Sequence, residues 1–234
     1  LPEVIDVLYH RWGSFPNFQR TRGVLRLLSL VVSLLKDKNI PYITLADFNL
    51  ANQEIRQELL KHIGTEYNSI IAQDITDTDA GSRRVDVKLG DSYKGLQLAT
   101  RAATTIFMYS FSGGIEKGAT LNEIKLSATT MDNPSSVVAE AVEQLKGKLF
   151  YFQFQNDKYF FSNQPNVNRI ILTKMENIKE DNVLDLEHQL LKQSISGGNF
   201  RVFIWEENHS LIPDTEELKL IILQNEKKHV IESI

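Results

Sequence analysis

Arg20, Arg22 and Arg26 stand at or just before a strongly apolar run, and arginine in such a place asks for an anion. Downstream, Val24, Leu25, Leu27, Leu28, Leu30, Val31, Val32, Leu34 and Leu35 ring the helical wheel almost completely. That is the pattern of a helix buried among other helices. Two kinds of anion fit. An acidic side chain of the same protein, with Glu3, Asp6, Asp47 and Glu54 at hand, would make internal salt bridges. A phosphate would instead make the block one wall of a nucleotide site, where a fixed guanidinium stabilises charge during phosphoryl transfer.

Other catalytic chemistry finds little support. The phosphate-loop pattern G-x-x-x-x-G-K-[ST] is absent. Gly113-Gly114 and Gly197-Gly198 lack the lysine and hydroxyl such a loop needs, so both read as turns. His10, His62, His188, His209 and His229 are far apart, and none has a partner at metal-helix spacing. Asp74, Asp77 and Asp79 alternate, but the spaced glycine and distal glutamate of a calcium loop are missing, so they read as solvated. No G-x-S-x-G elbow occurs. The chain has no cysteine, which excludes disulfides, thiolate metal sites and cysteine nucleophiles and fits a reducing cytoplasm.

Composition is that of an ordinary globular protein: 234 residues, 42% hydrophobic and 24% charged. The formal charge of -4, from 26 basic and 30 acidic residues, predicts no general attraction to nucleic acid, so local patches must carry any such role. The longest apolar stretch, residues 24–35, is broken by Arg26, Ser29 and Ser33 and is too short to span a bilayer. With neither a basic n-region nor a small-residue cleavage site ahead of it, the run is not expected to be a signal peptide. The chain opens at Leu1, inside an apparent helix, and is therefore expected to be a piece of a longer protein.

The elements that must position these residues are mostly helical. Val4, Ile5, Leu8 and Trp12 recur at helical spacing over residues 2–12. The apolar helix follows over residues 21–36, an amphipathic one over 52–62 and a further one over 66–72. Residues 74–91 read as a loop or loosely packed helix. Residues 96–111 form a strongly apolar helix. A short helix over 120–126 follows, with Thr120 and Glu123 at capping-box spacing. A third starts with Asn133 as cap and Pro134 as first helical residue, and buries Val137, Val138, Ala141, Val142 and Leu145. Two aromatic strands, 149–154 and 159–162, flank the polar turn 155–158. Three helices followed by a hairpin is the winged-helix order. Helices over 167–174 and 183–193 and strands over 200–205 and 218–223 complete the chain, the last strand reading as buried on both faces.

A winged helix raises a nucleic-acid role. Ser135 and Ser136 stand at the start of the third helix, Lys146 and Lys148 at or just past its end, and Asn156 and Lys158 at the wing tip. Glu140 and Glu143, on the exposed face, oppose phosphate contact. Winged helices also dock proteins, and both uses stay open.

The stretch Thr21-Arg22-Gly23-Val24-Leu25-Arg26-Leu27-Leu28 resembles the sensor-2 helix of AAA+ ATPases, most similarly in the initiator-like branch, where a winged helix follows a helical lid. Residues 2–168, through VIDVLYHRWGSFPNFQRTRGVLRLL, IFMYSFSGG, GATLNEI and QPNVNRII, further resemble a bacterial and archaeal family of AAA+-like ATPases often encoded beside DNA methyltransferases and helicases in phage-defence or restriction-like clusters. The resemblance implies that Arg22, with Arg20 in reserve, reaches the γ-phosphate of ATP held with Mg by a core domain, while Arg26 pairs within the lid. It also implies oligomerisation through that core, which this stretch lacks. The expected architecture is mainly α: a helical lid-like domain over 1–90, an α+β winged helix over 91–165 and a C-terminal α/β segment over 166–234. The expected function is a non-catalytic part of a DNA-associated ATPase, with DNA and a methyltransferase or helicase as partners and no membrane. The alternatives are a winged-helix regulator without ATPase activity and a protein-docking scaffold.

Overall fold

Pro2 starts helix α1 (Pro2–Asp6), which continues through a wider π turn over Val7–Arg11 into a 3-10 turn at Trp12–Ser14. The computed structural model describes residues 1–112, 114, 117–195, 199–206 and 208–224, so the readings of Gly113, of 196–198 and of His229 lie outside the described residues. Helix α2 spans Arg20–Leu35. Helix α3 (Gln53–Ile63) is capped by Asn52, which accepts from the Ile55 N–H, and stops at Gly64 with φ 107°. Helix α4 (Tyr67–Ile70) runs into a π turn at Ile71–Thr76, followed by α5 (Gly81–Lys88) and α6 (Asp91–Lys94).

The expectation that α2 is buried all round is overturned. Only Gly23, Val24, Leu27 and Val31 are buried, while Leu25 is 63% and Val32 49% exposed. Its described neighbours, α3 and the chain that follows α1, cover one side only. An apolar composition does not bury a helix that has partners along a single stripe.

Helix α7 (Leu98–Tyr109) takes the central place instead. Ten of its twelve residues are buried. It packs on α5 and on the 3-10 turn at Leu45–Asp47, and equally on α8 (Leu121–Ala128) and α9 (Ser135–Lys146). The Thr120–Glu123 capping box forms, with Glu123 accepting from the Thr120 N–H at 2.7 Å. A second, unread box joins Thr44 and Asp47. Helix α9 begins one residue later than expected, with Pro134 in the cap position, because Asn133 is occupied elsewhere. Its Oδ1 accepts from the Thr130 N–H at 2.9 Å and the Thr130 hydroxyl at 2.6 Å.

Strands β1 (Phe152–Gln155) and β2 (Lys158–Phe161) pair antiparallel with Gln155 opposite Lys158. Asn156 and Asp157 close the turn with φ 52° and 57°, as a type I′ hairpin requires. Ala119 adds an antiparallel bridge to Tyr159.

Residues 74–91 depart furthest from expectation. Asp74 is fully buried rather than solvated, and its carboxylate accepts from the Phe150 N–H at 3.0 Å and the Tyr151 N–H at 2.9 Å. Asp86, on α5, accepts from the Ala99 and Thr100 N–H groups at 2.7 and 3.2 Å and from the Thr100 hydroxyl at 2.6 Å. It thereby satisfies first-turn donors of α7 that have no partner within the helix. Both carboxylates hold chain ends that must stay dry, and neither belongs to a solvated loop.

The first compact unit is Leu1–Leu172, and the residue 90/91 boundary expected between lid and winged helix falls inside it. The second is Thr173–Ile234; α10 (Val167–Glu176) crosses the division. In the second unit α11 (Glu180–Ile195) has no buried residue and packs on β3 (Arg201–Ile204), which pairs parallel with β4 (Lys219–Ile222). Strand β4 is not buried on both faces as expected. Leu220 is 38% exposed, because a two-stranded sheet with a helix against β3 leaves β4 open. Among the described residues no helix is long and apolar enough to cross a membrane.

Burial pushes Asp74 up to about 6, against the pull of the Phe150 and Tyr151 amides and of Arg84. A carboxyl raised above its unfolded value binds its proton more tightly in the folded state. Its contribution therefore falls as pH rises from about 4 to about 6, by up to about 3 kcal/mol for a shift of about two units. Asp74→Asn removes the titration. The stability lead of wild type over this variant, read by urea unfolding, should shrink from pH 4 to pH 7. A gap that is constant across that range rejects the assignment.

Candidate functional site

An aromatic knot sets the arginine block in place. Trp12 is fully buried, donates from Nε1 to the Met108 carbonyl at 2.9 Å, and packs against Phe15, Phe18 and Phe111. The chain then passes a 3-10 turn at Pro16–Phe18 and reverses at Gln19 and Arg20, whose φ values are 57° and 32°. Two successive non-glycine residues in the left-handed region each cost about 1–2 kcal/mol. Packing holds them there. The Cα of Gly23 lies so close to the preceding turn that a Cβ would meet the Phe18 carbonyl oxygen at 2.1 Å.

The three arginines separate. The Arg26 Nε lies 3.1 Å from Glu58 Oε2, which Lys61 also meets at 2.8 Å. Glu58 is buried, so this is the internal salt bridge, with a partner that the sequence had not singled out. Arg20 and Arg22 are exposed and have no ion-pair or hydrogen-bond partner for their side chains among the described residues. No side chain caps α2, and its first turn holds no acidic residue. Two cations therefore sit at the positive end of a helix dipole, an arrangement that an arriving anion relieves.

Beside them His62 packs edge-on to Phe18, with ring centroids 5.0 Å apart. Its two ring nitrogens are shielded from solvent and hydrogen-bond nothing among the described residues. Burial lowers its pKa, helped by Lys61 and Arg26 and opposed by Glu58, so the ring is neutral at pH 7. A readable signal existed for this pair. Ile55, Glu58, Leu59 and His62 form one i, i+3, i+4, i+7 stripe, and a polar residue on an apolar stripe is the informative exception.

The residues expected to face nucleic acid do not converge. Ser135 and Ser136 are exposed at the start of α9. Lys146 is about 16 Å along the helix from Ser135. Its ammonium pairs with Glu143 at 2.7 Å and lies over the Phe154 and Tyr159 rings at 4.4 and 5.3 Å. Asn156 is exposed in the hairpin turn, while Lys148 and Lys158 are half-buried and both engaged. Glu140 and Glu143 stand exposed between the serines and Lys146, with Glu140 accepting from Gln144. Among the described residues no group of three His, Cys, Asp or Glu side chains could hold a metal ion. Any magnesium beside a nucleotide phosphate would need its ligands from outside these residues. Arg20 and Arg22 fit a phosphate as cations and can do no more.

Compared with protein-family profiles, with curated proteins and with solved structures, the chain matches none.

Gly23 is the residue on which the block's geometry turns. Gly23→Ala should lower stability by about 2 kcal/mol or more, because a backbone oxygen cannot yield as a flexible side chain does. A urea midpoint equal to that of wild type would show that the approach of Phe18 to α2 is not required.

Proposed function

We propose that this chain is the non-catalytic lid and winged-helix part of an AAA+-like ATPase that works with DNA in a defence or restriction-like system. The observation that carries the proposal is the strained start of α2. Gln19 and Arg20 are left-handed, no side chain caps the helix, and Arg20 and Arg22 are exposed without an anion among the described residues. Strain kept by packing in front of two unanswered cations supports reading this turn as a phosphate-sensing position. Arg22 is then the contact to nucleotide held by a core domain, with Arg20 beside it. The helix–helix–helix–hairpin order, with the Ala119 bridge to Tyr159, supports reading the second half of the first unit as a winged helix. Because α7 packs on both halves, a pull on α2 would reach that winged helix through one core. A DNA methyltransferase or helicase is the partner proposed with it.

A second reading, a winged-helix DNA-binding module without ATPase activity, draws on the exposed hydroxyls of Ser135 and Ser136 at the start of α9. The carboxylates that follow them weigh against it. On that reading, Ser136→Glu abolishes a salt-dependent DNA mobility shift. The absence of any shift in the unmodified chain rejects it.

The first reading is tested in the ATPase that contains both this chain and the nucleotide core. Arg22→Ala should cut ATP turnover at least about tenfold while leaving the urea midpoint unchanged. Arg26→Ala should instead act on stability, by leaving buried Glu58 with Lys61 alone. Wild-type turnover in Arg22→Ala rejects the nucleotide contact.

A further inference from the structure

The chain reverses at Gln19 and Arg20 between two glycines that serve different neighbours. Gly23 admits the Phe18 carbonyl. Gly13 is buried in the 3-10 turn Trp12–Ser14, which packs against α2, and it lies against Arg20 instead. A Cβ on Gly13 would meet the Arg20 Cγ at 3.2 Å, the Leu8 carbonyl oxygen at 3.5 Å and the Arg20 Cα at 3.8 Å. Of the three, only the Cγ is closer than ordinary van der Waals contact. The backbone of Gly13 stays out of the left-handed region, so conformation does not call for glycine there. The room taken by the Arg20 stem does.

Arg20 is thus held in two ways. Its backbone is fixed at φ 32° ahead of α2, and its stem is laid on buried Gly13. The residue as a whole is nonetheless exposed, the pattern of a long cationic side chain with a covered stem and a head in water. No ion pair or hydrogen bond among the described residues draws that head aside. An arginine whose stem is placed before an anion arrives has less rotamer freedom left to lose on binding.

We propose that Gly13 is a positioning residue for the nucleotide site. By lacking a Cβ it seats the Arg20 stem, and so presents a second guanidinium, beside Arg22, to the phosphates. This rests on the nucleotide reading of the arginine block and adds to it a residue that touches no ligand. Gly13 acts only through Arg20.

The test uses the ATPase that contains both this chain and the nucleotide core. Arg20→Ala should lower ATP turnover at least about fivefold. Gly13→Ala should lower it about threefold, because a held charge pushed off its place is less well aimed. The double variant Gly13→Ala/Arg20→Ala should turn over as Arg20→Ala alone does, since the glycine has nothing left to seat. A glycine needed only for folding lowers turnover equally in both backgrounds, and that result overturns the proposal. Wild-type turnover in Gly13→Ala overturns it too. Should Gly13→Ala fail to fold, the double variant decides: without the Arg20 Cγ it should unfold at the urea midpoint of Arg20→Ala, and a lower midpoint or a failure to fold overturns the proposal. Arg22→Ala separates the two claims. Wild-type turnover there rejects the nucleotide contact and the role of Gly13 with it. Reduced turnover there beside wild-type turnover in Arg20→Ala rejects the role of Gly13 alone.

Discussion

Two carboxylates in the dry interior govern how this chain comes together. Burying a charge is tolerated only when donors surround it, and Asp74 and Asp86 find theirs in backbone amides far along the chain. Asp86 ties α5 to the start of α7, and Asp74 ties the π turn after α4 to the chain entering β1. Each therefore enforces a distant register that hydrophobic burial, which has no direction, could not specify. Removing either would strand amides as well as lose a contact, and this asymmetry makes such pairs decisive.

With α7 fixed at its first turn, its buried face serves two sets of neighbours. Arg101 and Asp47 extend the same logic, since one guanidinium gathers the 3-10 turn at Leu45–Asp47 and the end of α8. Arg11 does likewise at the opposite end, donating to the Tyr109 and Gly118 carbonyls. The helices before α7 and the helix–hairpin segment after it thus share one hydrophobic core.

How much of this was legible follows from the range of the interactions. Local signals read true: the Thr120–Glu123 box and the polar turn between aromatic strands each depend on residues a few positions apart. Failures came where the partner was distant. Apolar composition suggested that α2 is enclosed, but a helix is buried only where neighbours lie against it. Asp74 resembled its solvated companions Asp77 and Asp79, because its amide partners are 76 and 77 residues away. At the candidate site the split between Arg26 and the pair Arg20 and Arg22 was partly visible. That Glu58 is the answering acid required knowing that α2 and α3 lie together.

Strands β3 and β4 pair only with each other, so each has one side where no ladder forms among the described residues. A parallel pair cannot close on itself, and its outer backbone groups stand ready for any extended segment that arrives in register. Arg201 and Lys219 face each other at one end of the ladder, with Glu217 3.5 Å from the Arg201 guanidinium, and charged side chains crowded there discourage a further strand. No such charge stands at the opposite end, where Ile204 meets Ile222. Recruitment of a third strand would be tolerated more easily from that end, which gives growth of this small sheet a built-in polarity.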